Sequence, residues 1–150
     1  MEVKIRRAEV EDFDALYELG CQTPEFKVSS SNEFMERDEF LAAIENSNGT
    51  LLLAEEDGEI VGFIYANRQD LEQAHRVKWA CIVYVVIKPE FRKMGIAQKL
   101  YDACVAELKN HGISNLYVWA NSETDGGVVG FMNKNGFSAG HKYLWMDKKI

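Results

Sequence analysis

Residues 85–98 read VVIKPEFRKMGIAQ, and the fold turns on how this stretch is understood. A β-branched apolar run ends in Lys88-Pro89, a basic turn carrying Arg92 and Lys93 follows, and Gly95 then opens a long amphipathic segment. The order is strand, basic turn, helix N-terminus. The first N–H groups of a helix have no intrahelical acceptor and sit at the positive end of its macrodipole, so a bound phosphate or pyrophosphate is favoured there. Glycine at position 95 lets such a ligand approach the backbone closely. The plainer alternative is a β-to-α connection whose glycine and basic residues serve only the turn, and the rest of the chain has to arbitrate.

Length and composition narrow the field. With 150 residues the chain fits one domain, residues 1–150, and can bury a core without disulfides or metal. No internal repeat, low-complexity tract or Pro/Gly-rich linker divides it. The formal charge of −7 argues against the broad basic face of a nucleic-acid binder. It is compatible with a cationic substrate, or with acidity that merely keeps the protein in solution. Cys21, Cys81 and Cys104 are odd in number, far apart and without a C-x-x-C pair, so neither a disulfide framework nor a zinc site is indicated. A reducing compartment suits them. No apolar run is long enough to span a bilayer and MEVKIRR lacks the apolar core of a signal peptide, so the expected location is the cytoplasm, with no membrane partner.

Along the chain, Val3, Ile5 and Arg7 alternate with Glu2, Lys4 and Arg6 as a short first strand would. Phe13, Leu16, Tyr17 and Gly20 then share one face of a helix, with Glu11 and Asp12 near its N-terminus. Residues 23–31 read as a polar loop, and Ser30 with Glu33 forms a capping-box pattern ahead of Phe34, Arg37, Leu41 and Ile44 at helical spacing. Phe26, Phe34 and Phe40 either line a cleft or pack in the core, with the core favoured. Residues 50–55 and 59–66 are apolar runs joined by Glu56-Asp57-Gly58, a strong hairpin signal. Polar residues 67–76, including His75, lead to a long strand at residues 77–87. Ile96, Leu100, Cys104 and Leu108 recur every four residues as a buried stripe, stopped at Gly112. A strand at residues 116–120 is expected to run parallel to the long strand through a right-handed crossover. Asp125 is placed to cap a helix over residues 126–135, and Phe137 with Tyr143, Leu144, Trp145 and Met146 suggests a closing pair of strands. The class is mixed α/β.

The spacing Arg92-Lys93-Met94-Gly95-Ile96-Ala97 resembles the acyl-CoA pyrophosphate signature of GNAT N-acetyltransferases, [Q/R]-x-x-G-x-[G/A]. The opening IRRAEVEDFDALYEL, the segment FMNKNGF at residues 131–137 and Met146-Asp147-Lys148 are similar to that family's first strand and helix, its F-Y-x-K-x-G-F segment and its closing strand. The resemblance covers essentially the whole chain. It implies the GNAT fold, a central mixed and mostly antiparallel sheet flanked by helices. It also implies transfer of an acetyl group from acetyl-CoA, as co-substrate and with no metal, to a small-molecule or peptide primary amine. Many members are dimers, so a homodimer is compatible with it.

Carried over by resemblance, the strand before the turn opens away from its parallel neighbour and the backbone of Val85, Val86 and Ile87 pairs with pantetheine. The Ile87 N–H then faces the thioester oxygen. The backbone N–H groups of Lys93, Met94, Gly95, Ile96, Ala97 and Gln98 hold the pyrophosphate, with Arg92 and Lys93 adding charge-assisted contacts. Two positions depart from the family. The tyrosine that can protonate the departing thiolate falls at Met132, and Trp119 stands where several members carry a glutamate base. Tyr143 and Tyr84 are the replacement candidates for the acid only by their position in the second half, core packing being the favoured reading of each, and Glu123 is the candidate base near the cleft mouth. Asn121 and Asp125 compete for the place of a CoA-contacting asparagine, Asp125 doubling as a helix cap. Cys81 and Cys104 read as small apolar fillers rather than nucleophiles, and His111 as a helix-end residue. The alternative from another class is a non-catalytic acyl-CoA-binding or regulatory module. A P-loop nucleotide binder is disfavoured, because G-x-x-x-x-G-K-[ST] does not occur.

Overall fold

The computed structural model describes residues 1–23, 34–46, 48–68, 78–123 and 127–150. Five strands form one sheet in the order β1-β2-β3-β4-β5: β1 Lys4–Arg7, β2 Gly49–Glu56, β3 Glu59–Asn67, β4 Trp79–Ile87 and β5 Asn115–Val118. The first four pair antiparallel and β5 joins β4 in parallel. Asp57 and Gly58 both take positive φ, 48° and 81°, which is the geometry a tight two-residue hairpin between β2 and β3 requires.

The helices divide between the two faces. On one lie α1 Phe13–Cys21 and α2 Arg37–Glu45; on the other α3 Ile96–Asn110 and the short α4 Val128–Lys134. Alternation along β2 feeds both cores, Leu51 and Leu53 towards α1 and α2, Leu52 and Ala54 towards α3. The apolar stripe of α3 is buried throughout, since Ile96, Leu100, Cys104 and Leu108 are each at most 1% exposed. Gly112, at φ 78°, ends that helix. Arg6 ties the opening together: its guanidinium holds Asp12 at 2.7 and 2.9 Å and Glu55 at 2.9 Å, joining β1, the start of α1 and β2.

Several expectations need correction. Phe34 is not helical, because α2 begins only at Arg37 with Glu36 as N-cap and no side-chain cap bond. The Ser30–Glu33 box, Phe26 and His75 lie outside the described residues. The helix after β5 is shorter than expected, and its N-cap is Gly127 at φ 77°, a left-handed position that glycine occupies without strain. Asp125, expected to cap it, lies outside the described residues. No strand forms over residues 138–150. Tyr143, Leu144, Trp145 and Met146 are exposed, so Tyr143 is not core. Four consecutive large apolar side chains do not alternate with polar ones, so they specify no single buried face and no register.

Candidate active site

The site grows from a mismatch in strand length. The parallel ladder between β4 and β5 ends at Ile82↔Val118, while β4 runs on to Ile87 beside β3. Just past that point the β3–β4 register shifts. Tyr65 pairs with Tyr84 but Ala66 pairs with Ile82, which leaves Val83 as the extra residue of a bulge. A bulge bends its strand and sharpens its twist. Among the described residues no strand occupies the β5 side of residues 83–87, so a seam opens there.

Hydrogen bonding tells which backbone groups face the seam. The Lys88 N–H donates to the Val61 carbonyl at 2.9 Å, so Lys88 faces β3. Backbone groups alternate along a strand, and Ile87 and Val85 therefore turn theirs away from β3 while Val86 faces it. The Ile87 carbonyl accepts a bond from Arg92 Nε at 3.1 Å on that outer side, as this alternation requires. Gly62 is what allows β3 so close here. A Cβ on it would lie 2.5 Å from the Val86 carbonyl oxygen and 2.6 Å from Ile87 Cδ1.

Beyond Ile87 the chain makes a 3₁₀ turn at Pro89–Phe91 and swings into α3 through Lys93 at φ 61° and Gly95 at φ 80°. A left-handed lysine is an uncommon conformation that costs about 1–2 kcal/mol, and it sits where the chain must reverse into the helix. The first intrahelical donor is Lys99, which bonds the Gly95 carbonyl at 3.1 Å. The N-terminus of α3 has no side-chain cap and no acidic residue in its first turn. Its leading N–H groups and the positive dipole end are thus left for an external anion, and the space a Cβ would take at Gly95 is open.

A model of the acetyltransferase (GNAT) family matches residues 13–137. The chain belongs to that family. The GNAT architecture also appears in solved structures over nearly the full length. A transcriptional regulator from Bacillus halodurans C-125 aligns with TM-score 0.79 at 19% identity, covering 98% of this chain and 100% of the other. The PaiA N-acetyltransferase of Thermoplasma acidophilum, solved with coenzyme A, gives 0.76 at 21%, covering 95% and 94%. Glucosamine-6-phosphate N-acetyltransferase of Arabidopsis thaliana gives 0.71 at 22%, covering 100% and 99%. No curated protein matches the sequence significantly. At these identities the likeness to solved structures speaks to the fold.

Within this GNAT fold the expected residues separate into those the structure gathers and those it does not. Val85 and Ile87 turn their backbone to the seam, whereas Val86, expected to pair there as well, turns its backbone to β3; residues 92–98 lead from the seam into the start of α3. The Gln98 side chain is engaged elsewhere, exchanging amide bonds of 2.8 and 3.2 Å with Asn135 and so tying α3 to the end of α4. Beyond β5, Trp119 is 72% exposed and Tyr143 stacks edge-on against it with ring centroids 5.7 Å apart. Asn121 Oδ1 accepts the Glu123 N–H at 2.9 Å, which fixes the local turn. Met132, at the family's tyrosine position, is 3% exposed in the core beside Ile96 and Leu100.

Tyr84 is half-buried on the α1/α2 face, where burial first and the nearby Glu39 and Tyr65 second push its phenol up to about 12. Burial likewise pushes the Cys104 thiol up to about 12, and Cys81 is buried too, as fillers should be. His111 is the C-cap of α3, the helix-end role expected of it. The Lys88 ammonium pairs with the Glu59 carboxylate. The described residues contain no cluster of His, Cys, Asp or Glu able to hold a metal, and no helix long and apolar enough to cross a membrane. Sequence reasoning passed over Gly62, although a glycine inside a strand run is itself a sign of close backbone approach.

Proposed function

We propose that the protein is an N-acetyltransferase that moves an acetyl group from acetyl-CoA to a primary amine by direct attack in a ternary complex. One observation carries the reading: the seam-facing backbone of Val85 and Ile87 runs directly into the uncapped N-terminus of α3. A thioester on an extended, amide-bearing arm fits the first feature and a diphosphate fits the second. These residues therefore suit acetyl-CoA, which supplies an activated acetyl group on a thiol leaving group.

In this reading the N–H groups of Lys93, Met94, Gly95, Ile96, Ala97 and Gln98 hold the diphosphate, and Lys93 and Arg92 add positive charge. Val85 and Ile87 fix the arm in extended form through their backbone groups. The Ile87 N–H donates to the carbonyl oxygen as negative charge develops there, the type of preorganised contact whose removal costs 10²–10³ in rate in other enzymes. Holding the amine beside the carbonyl supplies much of the remaining acceleration. An amine with a pKa near 10 has to lose a proton first, and Glu123 is proposed as the base, directly or through water. Tyr143 is proposed to return a proton to the thiolate. Asn121 and Asp125 are proposed to steady the CoA arm, and the protein is proposed to act in the cytoplasm.

Burial of Met132 favours a second reading, an acyl-CoA-binding module without turnover, because no acid stands at the family's usual place. One assay separates the two. Purified protein with acetyl-CoA and a broad panel of primary amines should release free CoA with at least one of them. Tight binding of acetyl-CoA with no release across the panel would replace the enzyme by the module.

A further inference from the structure

The helix that begins at the basic turn carries a residue able to close its own anion site. Gln98 is the third residue of α3 after the N-cap Gly95. Glutamine at that position can reach back and accept a hydrogen bond from the backbone N–H at the helix start, as in a capping box. Gln98 does not do so. Its Nε2 donates to Asp102 Oδ1 at 2.9 Å and to Asn135 Oδ1 at 2.8 Å. Its Oε1, the atom that a cap would need, accepts from Asn135 Nδ2 at 3.2 Å. An ionised carboxylate only accepts, so Asp102 sets which end of the Gln98 amide points towards it, and Asn135 answers with the reciprocal pattern.

Asn135 is itself held in place from several directions. Its Nδ2 also donates to the Phe131 carbonyl at 2.9 Å. It is the C-cap of α4, and just beyond it the chain closes in a Schellman motif: the Gly136 N–H bonds the Asn133 carbonyl at 3.1 Å and the Phe137 N–H bonds the Met132 carbonyl at 3.0 Å. Phe131 and Phe137, on either side of it, both meet Tyr101 of α3 edge-on, with ring centroids 5.8 and 6.3 Å away. The end of α4 is thus clamped to α3, and the Asn135 carboxamide is presented to Gln98. Both side chains are half-buried, whereas Gly95 is exposed.

We infer that Asn135 is a positioning residue of the diphosphate turn: by engaging the Gln98 carboxamide it keeps the leading N–H groups of α3 uncapped and open to the anion. The inference rests on the acyl-CoA reading of that turn and adds to it a residue that acts through another. Without Asn135, the Gln98 Oε1 loses its partner while unbonded N–H groups lie within one turn of it. A side chain that caps them competes with the ligand. From the usual strength of such caps, with Asp102 still drawing on the amide, acetyl-CoA affinity should fall about threefold to tenfold.

Two measurements read the two halves of the inference. NMR follows the amide hydrogen exchange of Gly95 and Ile96 in the free protein, and calorimetry gives the affinity for acetyl-CoA; thermal melting shows that each variant is folded. In Asn135→Ala the exchange should slow several-fold and the affinity should fall as above. Adding Gln98→Ala to Asn135→Ala should bring back most of the lost affinity and the faster exchange, because no cap remains to compete, and Gln98→Ala by itself closes the cycle. A merely structural role for Asn135 predicts that the double variant binds no better than Asn135→Ala, and that result overturns the inference. So does exchange that fails to slow, or affinity that fails to drop, in Asn135→Ala. Failure of the wild-type protein to bind acetyl-CoA would strike the proposed function instead, and the exchange comparison on free protein would still decide whether Asn135 holds Gln98 off the helix start.

Discussion

A carboxylate placed in the first turn of α3 should separate helix stability from cofactor affinity. Ala97 is the second residue of that helix after the N-cap Gly95, and the turn holds neither an acidic residue nor a side-chain cap. For stability, Ala97→Asp gains about 0.3–1 kcal/mol from the dipole and loses up to about 0.7 kcal/mol of intrinsic helix propensity, so little net change is expected. For binding, a diphosphate held at this turn as proposed would carry two charges about 5 Å from the new carboxylate. Repulsion is then about 1.7 kcal/mol at the dielectric of bulk water and about fourfold larger at the effective value near a protein surface. Even the smaller figure weakens acetyl-CoA by roughly 15- to 20-fold. Ala97→Asn, equal in size but uncharged, should lose far less. Calorimetry with acetyl-CoA at low and high salt gives the affinities, and the deficit of the aspartate variant should shrink as salt screens it. Thermal melting checks that the fold is intact. An aspartate variant with wild-type melting temperature and acetyl-CoA affinity within twofold of wild type would show that the diphosphate is held elsewhere.

Two further outcomes follow from packing and charge. Gly62→Ala forces a methyl group against the Val86 carbonyl and Ile87 Cδ1, at 2.5 and 2.6 Å, and should cost about 1–3 kcal/mol. The melting temperature should fall by about 2–4 °C per kcal/mol, and an unchanged value would mean that β3 and β4 are not in close contact at the seam. The Asp12 carboxyl is held below its usual range, mainly by the Arg6 hydrogen bonds, against the opposing effect of burial. Its contribution is therefore complete above the ordinary carboxylate value of about 3.9 and is lost as pH falls through the lowered folded value. The stability gap between wild type and Arg6→Gln should narrow across that acid window in thermal melts, and a gap independent of pH would contradict the assignment.

Much of the framework was legible because its signals are local. The stripe Ile96, Leu100, Cys104, Leu108 repeats with the helical period, and the period alone says which side is buried. Asp57-Gly58 adopts the left-handed pair that a two-residue hairpin needs, and few other dipeptides do so cheaply. The turn from Arg92 to Gly95 was readable for the same reason: strand end, glycine and helix start are all short-range features.

What the tertiary structure alone decided is non-local. The bulge at Val83 exists because β3 and β4 change register there, and register is the sum of cross-strand contacts that no single strand contains. From it follow the seam, the outward backbone of Ile87 and the placing of Val83 and Tyr84 on one face. Phe34 had helical spacing from Arg37 and Leu41, yet it lies outside α2, with its ring seated against Gly20 on another helix. The run Tyr143 to Met146 had the composition of a strand and forms none, since a strand is defined by the ladder partner it finds. The sequence by itself determined the buried stripe of α3, the hairpin and the strand–turn–helix order of residues 85–98 through local periodicity and backbone preference; the opening beside β4 and the seat of Phe34 against Gly20 came only from contacts between distant parts of the chain.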